Sequence, residues 1–459
     1  MRLSPLIRPV FLGLSLLLLA SGCRSFEPTR ARREQTDNFT SNLTQLAEAK
    51  LDHPLSLDDC VRIAMTNNYA VRKADLDREL YRIGKNVAFT AFLPKVAASA
   101  GYTSYSKQPA YTDQKFDQAD LKISMPIFMP STWFLYAATR HGYAAAGIAA
   151  TYVRQGIVVQ TSVQYYNVII QQEIVKALDS QLEAARKTAD RVEGLAGEGF
   201  FMPWEGDQAR FQAESREAEL DQARRQLAVV RGELLQGLGL APNAPLELSG
   251  DTGTPDIPEG TTEDRVLKAL EVNPQLTIAD RQVVMQDHAV RQAFCDFIPV
   301  VSIFSTGSLT GDSMAAHSLN WASGLSGAWT LFDGLANVAR YKAAKVERTQ
   351  TQLERESTFL SVIIQVMATE AAVHDATAEA HIRQRAYEVA KAKHEDYAAR
   401  AAEGLKPLSD ALDAQAVMNL AQVQMVQSRY QKQIAIANLK LAMGITLIPD
   451  ETTEVKDEK

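Results

Sequence analysis

The residues with most scope for chemistry gather in two short stretches. Asp410 and Asp413 lie three apart, so on a helix they share one face near its N-terminus, just after Lys406. Such a pair suits the positive end of a helix dipole. The other stretch, Gly199-Phe200-Phe201-Met202-Pro203-Trp204-Glu205, is apolar and aromatic. Such a patch suits docking of a protein partner, or packing between neighbouring helix tips. His374 and His381 are seven apart and fall near one helix face, but neither has a Cys or a tight carboxylate cluster nearby. Solvated or interhelical histidines are therefore expected, with no metal and no cofactor. The sequence contains no phosphate loop, no G-x-S-x-G and no H-E-x-x-H. These residues point away from an enzyme.

The N-terminus carries a different kind of chemistry. Arg2 and Arg8 precede an apolar run from Val10 to Ala20, then Ala20-Ser21-Gly22-Cys23. The run is too short for a permanent span, and small residues stand where a signal peptidase would cut. Residues 1–22 are similar to a bacterial lipoprotein signal, which would make Cys23 the lipidated, palmitoylated mature N-terminus. Arg24 follows it, whereas an Asp there resembles an inner-membrane retention signal; the outer membrane is expected. Removing Arg2 and Arg8 takes the formal charge from −7 to −9, which argues against nucleic acid. Cys60 and Cys295 stand at unrelated positions, so both are expected as small buried residues rather than a disulfide.

The elements that position these groups come in duplicate. Asp59 to Gly239 recurs 205 residues later as Asp264 to Gly444: Asn68 as Asn273, Leu93-Pro94 as Ile298-Pro299, Glu198-Gly199 as Glu403-Gly404. The organisation read from this is a lipid-anchored, mostly extended segment 23–56 with at most a short helix, repeat 1 over 57–240, a linker 241–261, repeat 2 over 262–445, and an acidic tail 446–459. Each repeat runs helix, strand, strand, long helix, shorter helix. Ser56 and Asp59 stand at capping-box spacing, opening a helix to about Phe92 that stops at Leu93-Pro94. Its copy should break at Asn273-Pro274 into two helices in line.

After each proline the period changes to 2, over Lys95–Ser106, Leu121–Met129, Val300–Thr310 and Trp321–Phe332. In the last, Trp321, Ser323, Leu325, Gly327, Trp329 and Leu331 form a bulky face opposite a small, polar one. A soluble sandwich would pack the bulky face on a second sheet and a membrane barrel would turn it to lipid; two hairpins cannot close without partner chains. From about Ser131 to Glu198 and from Ala336 to Glu403 no proline interrupts either stretch. Each such helix would reach roughly 100 Å, which indicates coiled-coil or helical-barrel packing. Gly199 and Gly404 should turn the chain back at the far end.

This pattern resembles the outer membrane efflux protein family over about residues 57–445. Ser56-Leu57-Asp58-Asp59 with Asn67-Asn68 looks like the family's opening helix, and Phe92-Leu93-Pro94 like its strand entry. Met125-Pro126-Ile127-Phe128 is similar to its strand exit, and Glu403-Gly404-Leu405-Lys406-Pro407 through Gln415 to its tip turn. The resemblance implies a mainly α fold with a small β part. Three chains would form an α-helical barrel continuous with one twelve-stranded transmembrane β-barrel, four strands per chain. It implies a passive exit duct for an inner-membrane pump, of RND or ABC type, joined by a periplasmic adaptor. It also implies that Lys406, Asp410 and Asp413 line a periplasmic gate. Gly199 and Gly404 make the tip turns; the first copy departs from the family there, and Phe200, Phe201 and Trp204 are read from their own chemistry as an adaptor-docking patch or as packing between neighbouring tips. Lys406 stands where relatives have a basic latch, and Ala401 where they have a tyrosine. A duct for secreted proteins shares this fold; a coiled-coil tether without a barrel is the alternative of a different class.

Overall fold

The computed structural model describes residues 27–38, 44–250, 257–403 and 405–445. Cys23, Gly404, segment 1–22 and tail 446–459 lie outside them. The elements are α1 (Pro28–Asn38), α2 (Thr44–Lys50), α3 (Leu57–Asn67), α4 (Tyr69–Thr90), β1 (Lys95–Ser104), β2 (Lys115–Phe128), α5 (Pro130–Gly197) and α6 (Pro203–Gly237). The second half follows with α7 (Thr262–Val272), α8 (Pro274–Cys295), β3 (Val300–Thr310), β4 (Leu319–Ala328), α9 (Ala336–Ala402) and α10 (Leu408–Ala442). Two helices, α1 and α2, occupy the segment expected to be largely extended. Ala47 of α2 is buried in the first hydrophobic core, so that segment packs rather than trails.

The two halves match in detail. Ser56 and Thr261 each close a full capping box, with the Asp59 and Asp264 amides donating to the hydroxyls at 3.1 and 3.2 Å. Both opening helices break at an asparagine. The first copy breaks without any proline, correcting the expectation of one continuous helix to Phe92. Asn68 Oδ1 accepts from the Ala70 amide at 2.8 Å, capping α4, while its Nδ2 donates to the Gly237 carbonyl at 2.7 Å. Asn273 repeats both bonds, to the Gln275 amide at 2.8 Å and to the Ala442 carbonyl at 2.8 Å. The chain then leaves α6 and α10 through Gly239 and Gly444, both near φ +70°. A Cβ on Gly239 would meet the Asn67 carbonyl oxygen at 2.5 Å, so only glycine fits this joint. The joint sets α3 and α4 end to end along α5, with α6 returning to meet them.

The strands form one antiparallel sheet, β1-β2-β3-β4, in which β2·β3 links the two halves and β1 and β4 are edges. Because β partners share a face, the register assigns every side chain. One face carries Val96, Ala98, Tyr102, Leu121, Ile123, Met125, Ile303, Leu309, Trp321 and Leu325, with Asp117, Ser305 and Ser323 among them; the other carries Lys95, Ser99, Thr103, Gln118, Asp120, Lys122, Thr306, Ser308 and Ser326, with Phe116 and Phe304. Trp321 lies over Gly307, its cross-strand partner. β2 begins at Lys115, six residues before the expected start, and β4 ends at Ala328. Trp329 is therefore outside the strand, and its indole N–H donates to the Phe297 carbonyl at 3.1 Å.

Burial is concentrated where α3, α5 and α6 meet around Leu55, Tyr165, Leu234, Leu235 and Leu238, and again around Val362, Val366, Leu439 and Met443 in the second half. Cys60 is buried in the first core, and burial pushes its thiol up to about 12. Replacing Asn273 by Ala removes a helix cap and leaves the Ala442 carbonyl without its side-chain donor. The expected cost is about 2 kcal/mol, read as a lower unfolding midpoint in detergent. An unchanged midpoint would show that the joint is held by packing alone.

Candidate functional site at the helix tips

The tips lie at the far end of α5 and α9, roughly 100 Å from the sheet at 1.5 Å per residue. At the first tip Gly199 takes φ +83°, and the Phe200 amide donates back to the Leu195 carbonyl at 2.9 Å. This is the glycine-terminated turn that ends a helix by satisfying its last carbonyls. The Glu205 carboxylate accepts from the Met202 amide at 2.8 Å and holds the start of α6. Apolar side chains are thereby left in the open: Phe200 is 75% exposed and Trp204 62%, with Met202 beside them and Phe201 less so. The structure gathers the aromatic residues singled out from the sequence into one exposed patch. Phe211, two turns further along α6, is also exposed and was not anticipated.

The second tip uses the same turn with different side chains. The Leu405 amide donates to the Arg400 carbonyl at 2.8 Å, the counterpart of the Phe200–Leu195 bond. Lys406 is then placed between two groups. Its ammonium lies 3.8 Å from the centre of the Tyr397 ring and 3.6 Å from Asp410 Oδ2. Lys393 approaches the same ring at 5.2 Å. Asp410 is thus joined to Lys406 within one chain, while Asp413 is exposed. His394 and the Ala411 carbonyl, 3.3 Å apart, tie α9 to α10 just behind.

Tyr397 is the residue that sequence reasoning missed. The tyrosine position implied by the resemblance falls on Ala401; Tyr397 stands one helical turn earlier, on the same face. A search at i−4 would have found it. Its aromatic face holds the cation that a second carboxylate or carbonyl would otherwise have to hold.

His374 and His381 lie elsewhere, on the middle of α9. They line a cavity of about 500 Å³ with Ile257, Arg265, Glu370 and Thr377. Arg265 and Glu370 form a buried ion pair there, and His374 Nε2 stands 4.0 Å from Glu370 Oε1. Among the described residues, no three His, Cys, Asp or Glu side chains gather as metal ligands would.

The sequence model described as "Outer membrane efflux protein" matches residues 61–240 and 266–445, one match per repeat. Over 408 residues, 83% of this chain and 80% of the relative, the sequence is 22% identical to outer membrane protein TolC of Escherichia coli (strain K12). The Campylobacter jejuni CmeC outer membrane channel superposes with a TM-score of 0.73 at 19% identity, covering 84% of this chain and 85% of that one. A membrane protein from Pseudomonas aeruginosa superposes at 0.71 and 20% identity, covering 85% and 90%.

The cation–π contact carries a test of its own. Tyr397→Leu should speed hydrogen exchange at the Leu405 and Lys406 amides by roughly 2- to 5-fold, the worth of an exposed cation–π pair, while Tyr397→Phe should leave it unchanged. Equal exchange in all three proteins would show that the ring does not hold Lys406.

Proposed function

The chain belongs to the outer membrane efflux protein family, and from that premise we propose that it is the exit duct of a tripartite export system. It conducts substrate passively from an inner-membrane pump, through a periplasmic adaptor, to the outside. The observation that carries this reading is the two-faced sheet. Its mostly apolar face has no core to cover and suits lipid, its mostly polar face suits a watery lumen, and its two edge strands require further chains. Three copies would supply twelve strands above a cylinder built from the long helices. A tether without a barrel would leave Val96, Leu121, Ile303 and Leu325 facing water, against the apolar driving force.

In this reading the second tip is the gate. Three copies would bring three Asp410 and three Asp413 carboxylates around one axis, where like charge favours bound cations. Because Lys406 is already joined to Tyr397 and Asp410 of its own chain, the gate would rest on exposed Asp413 and on the partly screened Asp410. Phe200, Phe201 and Trp204 at the first tip would dock the adaptor, Gly199 and Gly404 would set the two turns, and Cys23 would carry the lipid that anchors the chain in the outer membrane.

One preparation tests these assignments. Purified protein should run as a heat-modifiable oligomer and give discrete conductance steps in planar bilayers; an oligomer that never conducts would sink the duct. Asp410→Asn with Asp413→Asn should relieve block by divalent cations without loss of conductance, and unchanged block would remove the gate from this turn. Cys23→Ser should end labelling by radioactive palmitate. Persistent labelling would place the lipid on another residue.

A further inference from the structure

Near the sheet the two copies agree side chain for side chain. Phe89, Phe92 and Tyr136 form an aromatic trio with ring separations of 5.9, 5.8 and 6.2 Å; Phe294, Phe297 and Tyr341, each 205 residues on, form the same trio at 6.1, 6.0 and 6.3 Å. A short way further along α5 the agreement ends. There α5 packs on α8, and this seam joins the first copy to the second. His141 of α5 and His288 of α8 stack across it, ring centres 5.6 Å apart and planes 23° from parallel. Phe134 lies against the His288 ring, with 6.2 Å between centres. Arg281, two turns before His288 on the same face of α8, brings Nη1 to 3.1 Å from His141 Nδ1. The positions 205 residues away hold Val346 for His141, Ile83 for His288 and Leu76 for Arg281, none of which titrates.

This geometry suits imidazoles that carry one proton each. A guanidinium donates and never accepts, so His141 Nδ1 offers its lone pair to Arg281 and the single ring proton sits on Nε2. Among the described residues His288 Nδ1 is buried with no hydrogen-bond partner. With both ring nitrogens protonated it would be a charged, buried donor with nothing to receive it, which is costly.

The surrounding charges act in the same direction. Arg140 adjoins His141 on α5, and Arg281 and Arg291 flank His288 on α8. Asp287 is engaged by Arg291 at 2.9 Å and by Arg348 of α9 at 3.6 Å. From α4, Tyr81 lies against Gly142, while Arg78 and Lys85 lie over the Tyr143 ring. The contact of α10 with α5 through Tyr430 and Tyr166 falls further down the helix. Burial, and then the Arg281 guanidinium, hold His141 below the usual imidazole range. Burial and Arg291 do the same for His288, against a smaller opposing pull from Asp287.

We propose that His141, His288 and Arg281 form a proton-operated catch in the seam between the two copies, closed while both imidazoles are neutral and released when acid protonates them, freeing the sheet end of α8 from α5. Detached from α5, each imidazole regains its ordinary affinity for a proton near pH 6.5; seated in the seam, each takes the proton only at lower pH. The seam is therefore at full strength above about pH 6.5 and weakens as the pH falls below it. Two imidazolium rings then face one another beside three arginines, and their repulsion parts the helices. What loosens is the footing of the sheet: β2 runs straight into α5, and α8 leads straight to β3. The catch lies within one chain and needs no second copy.

Full-length protein in detergent, followed by peptide-resolved hydrogen exchange at about pH 7.5 and about pH 5.5, brackets the ordinary imidazole titration. Each rate is corrected for the intrinsic pH dependence of amide exchange. Protection over residues 280–295 should fall on acidification by up to about tenfold for each imidazole, up to about a hundredfold for the pair. His141→Phe with His288→Phe keeps two stacked rings and should show no such fall, and His288→Phe alone should show about half of it on a logarithmic scale. Peptides of α4 around Ile83, the counterpart of His288, should not respond in any of these proteins. An undiminished fall in the double variant would overturn the catch, because other groups would then carry the response. An equal fall over α4, or none over α8, would overturn it in the native protein alone, whether or not the variants fold.

Discussion

Two asparagine side chains, one in each half of this molecule, fix the helix register within that half. A helix of 68 residues offers a neighbour many equivalent places to lie, since small-residue and heptad-like faces repeat every turn or two. Asn68 removes that freedom by capping α4 and bonding the carbonyl that ends α6. Asn273 does the same for α8 and α10. The glycines that follow, Gly239 and Gly444, turn the departing chain at positive φ, and Gly239 brings it too close to the Asn67 carbonyl for any Cβ. Everything on either side is measured from this joint: about 22 residues of helix toward the sheet, and about 35 toward the tips.

Fixing the middle lets the two ends serve different demands. At the sheet end the copies must agree, because strands that share a ladder have to match in length and face; the aromatic trios there coincide to within a few tenths of an ångström. At the tip end the copies share only a backbone turn, and their side chains diverge. One presents exposed aromatic rings, the other a lysine held between a ring and a carboxylate. The divergence costs the sheet nothing, being separated from it by the full length of the long helices.

Much of this architecture was legible in the chain. The duplication, the proline that turns helix into strand, and the two proline-free stretches each have a local cause that spacing reveals. The break at Asn68 was not legible, because its cause is a bond to a carbonyl 169 residues away and no proline marks it. The start of β2 was obscured in the same way: Lys115-Phe116-Asp117-Gln118-Ala119-Asp120 has the composition of a loop, and only pairing with β1 and β3 makes it a strand. Polar residues are tolerated there because the Gln118 and Asp120 face has no core to fill. The turn at Gly199 was read from its own motif, whereas Tyr397 acts through space and its position on α9 matched no expected residue.

The pairing of β2 with β3 also governs when the sheet can exist. Ser124 and Phe304 face each other across a loop of some 180 residues, while β1·β2 and β3·β4 close locally. Loop-closure entropy rises with the intervening length, and contacts distant in sequence form late. Folding the intervening chain into α5 and α6 shortens the effective gap, because rigid helices carry β2 and β3 to the same end. The ladder that unites the halves thus becomes a late event, gated by completion of the helical hairpin, and the apolar face of the sheet spends the early life of the chain as two separate, narrow ribbons.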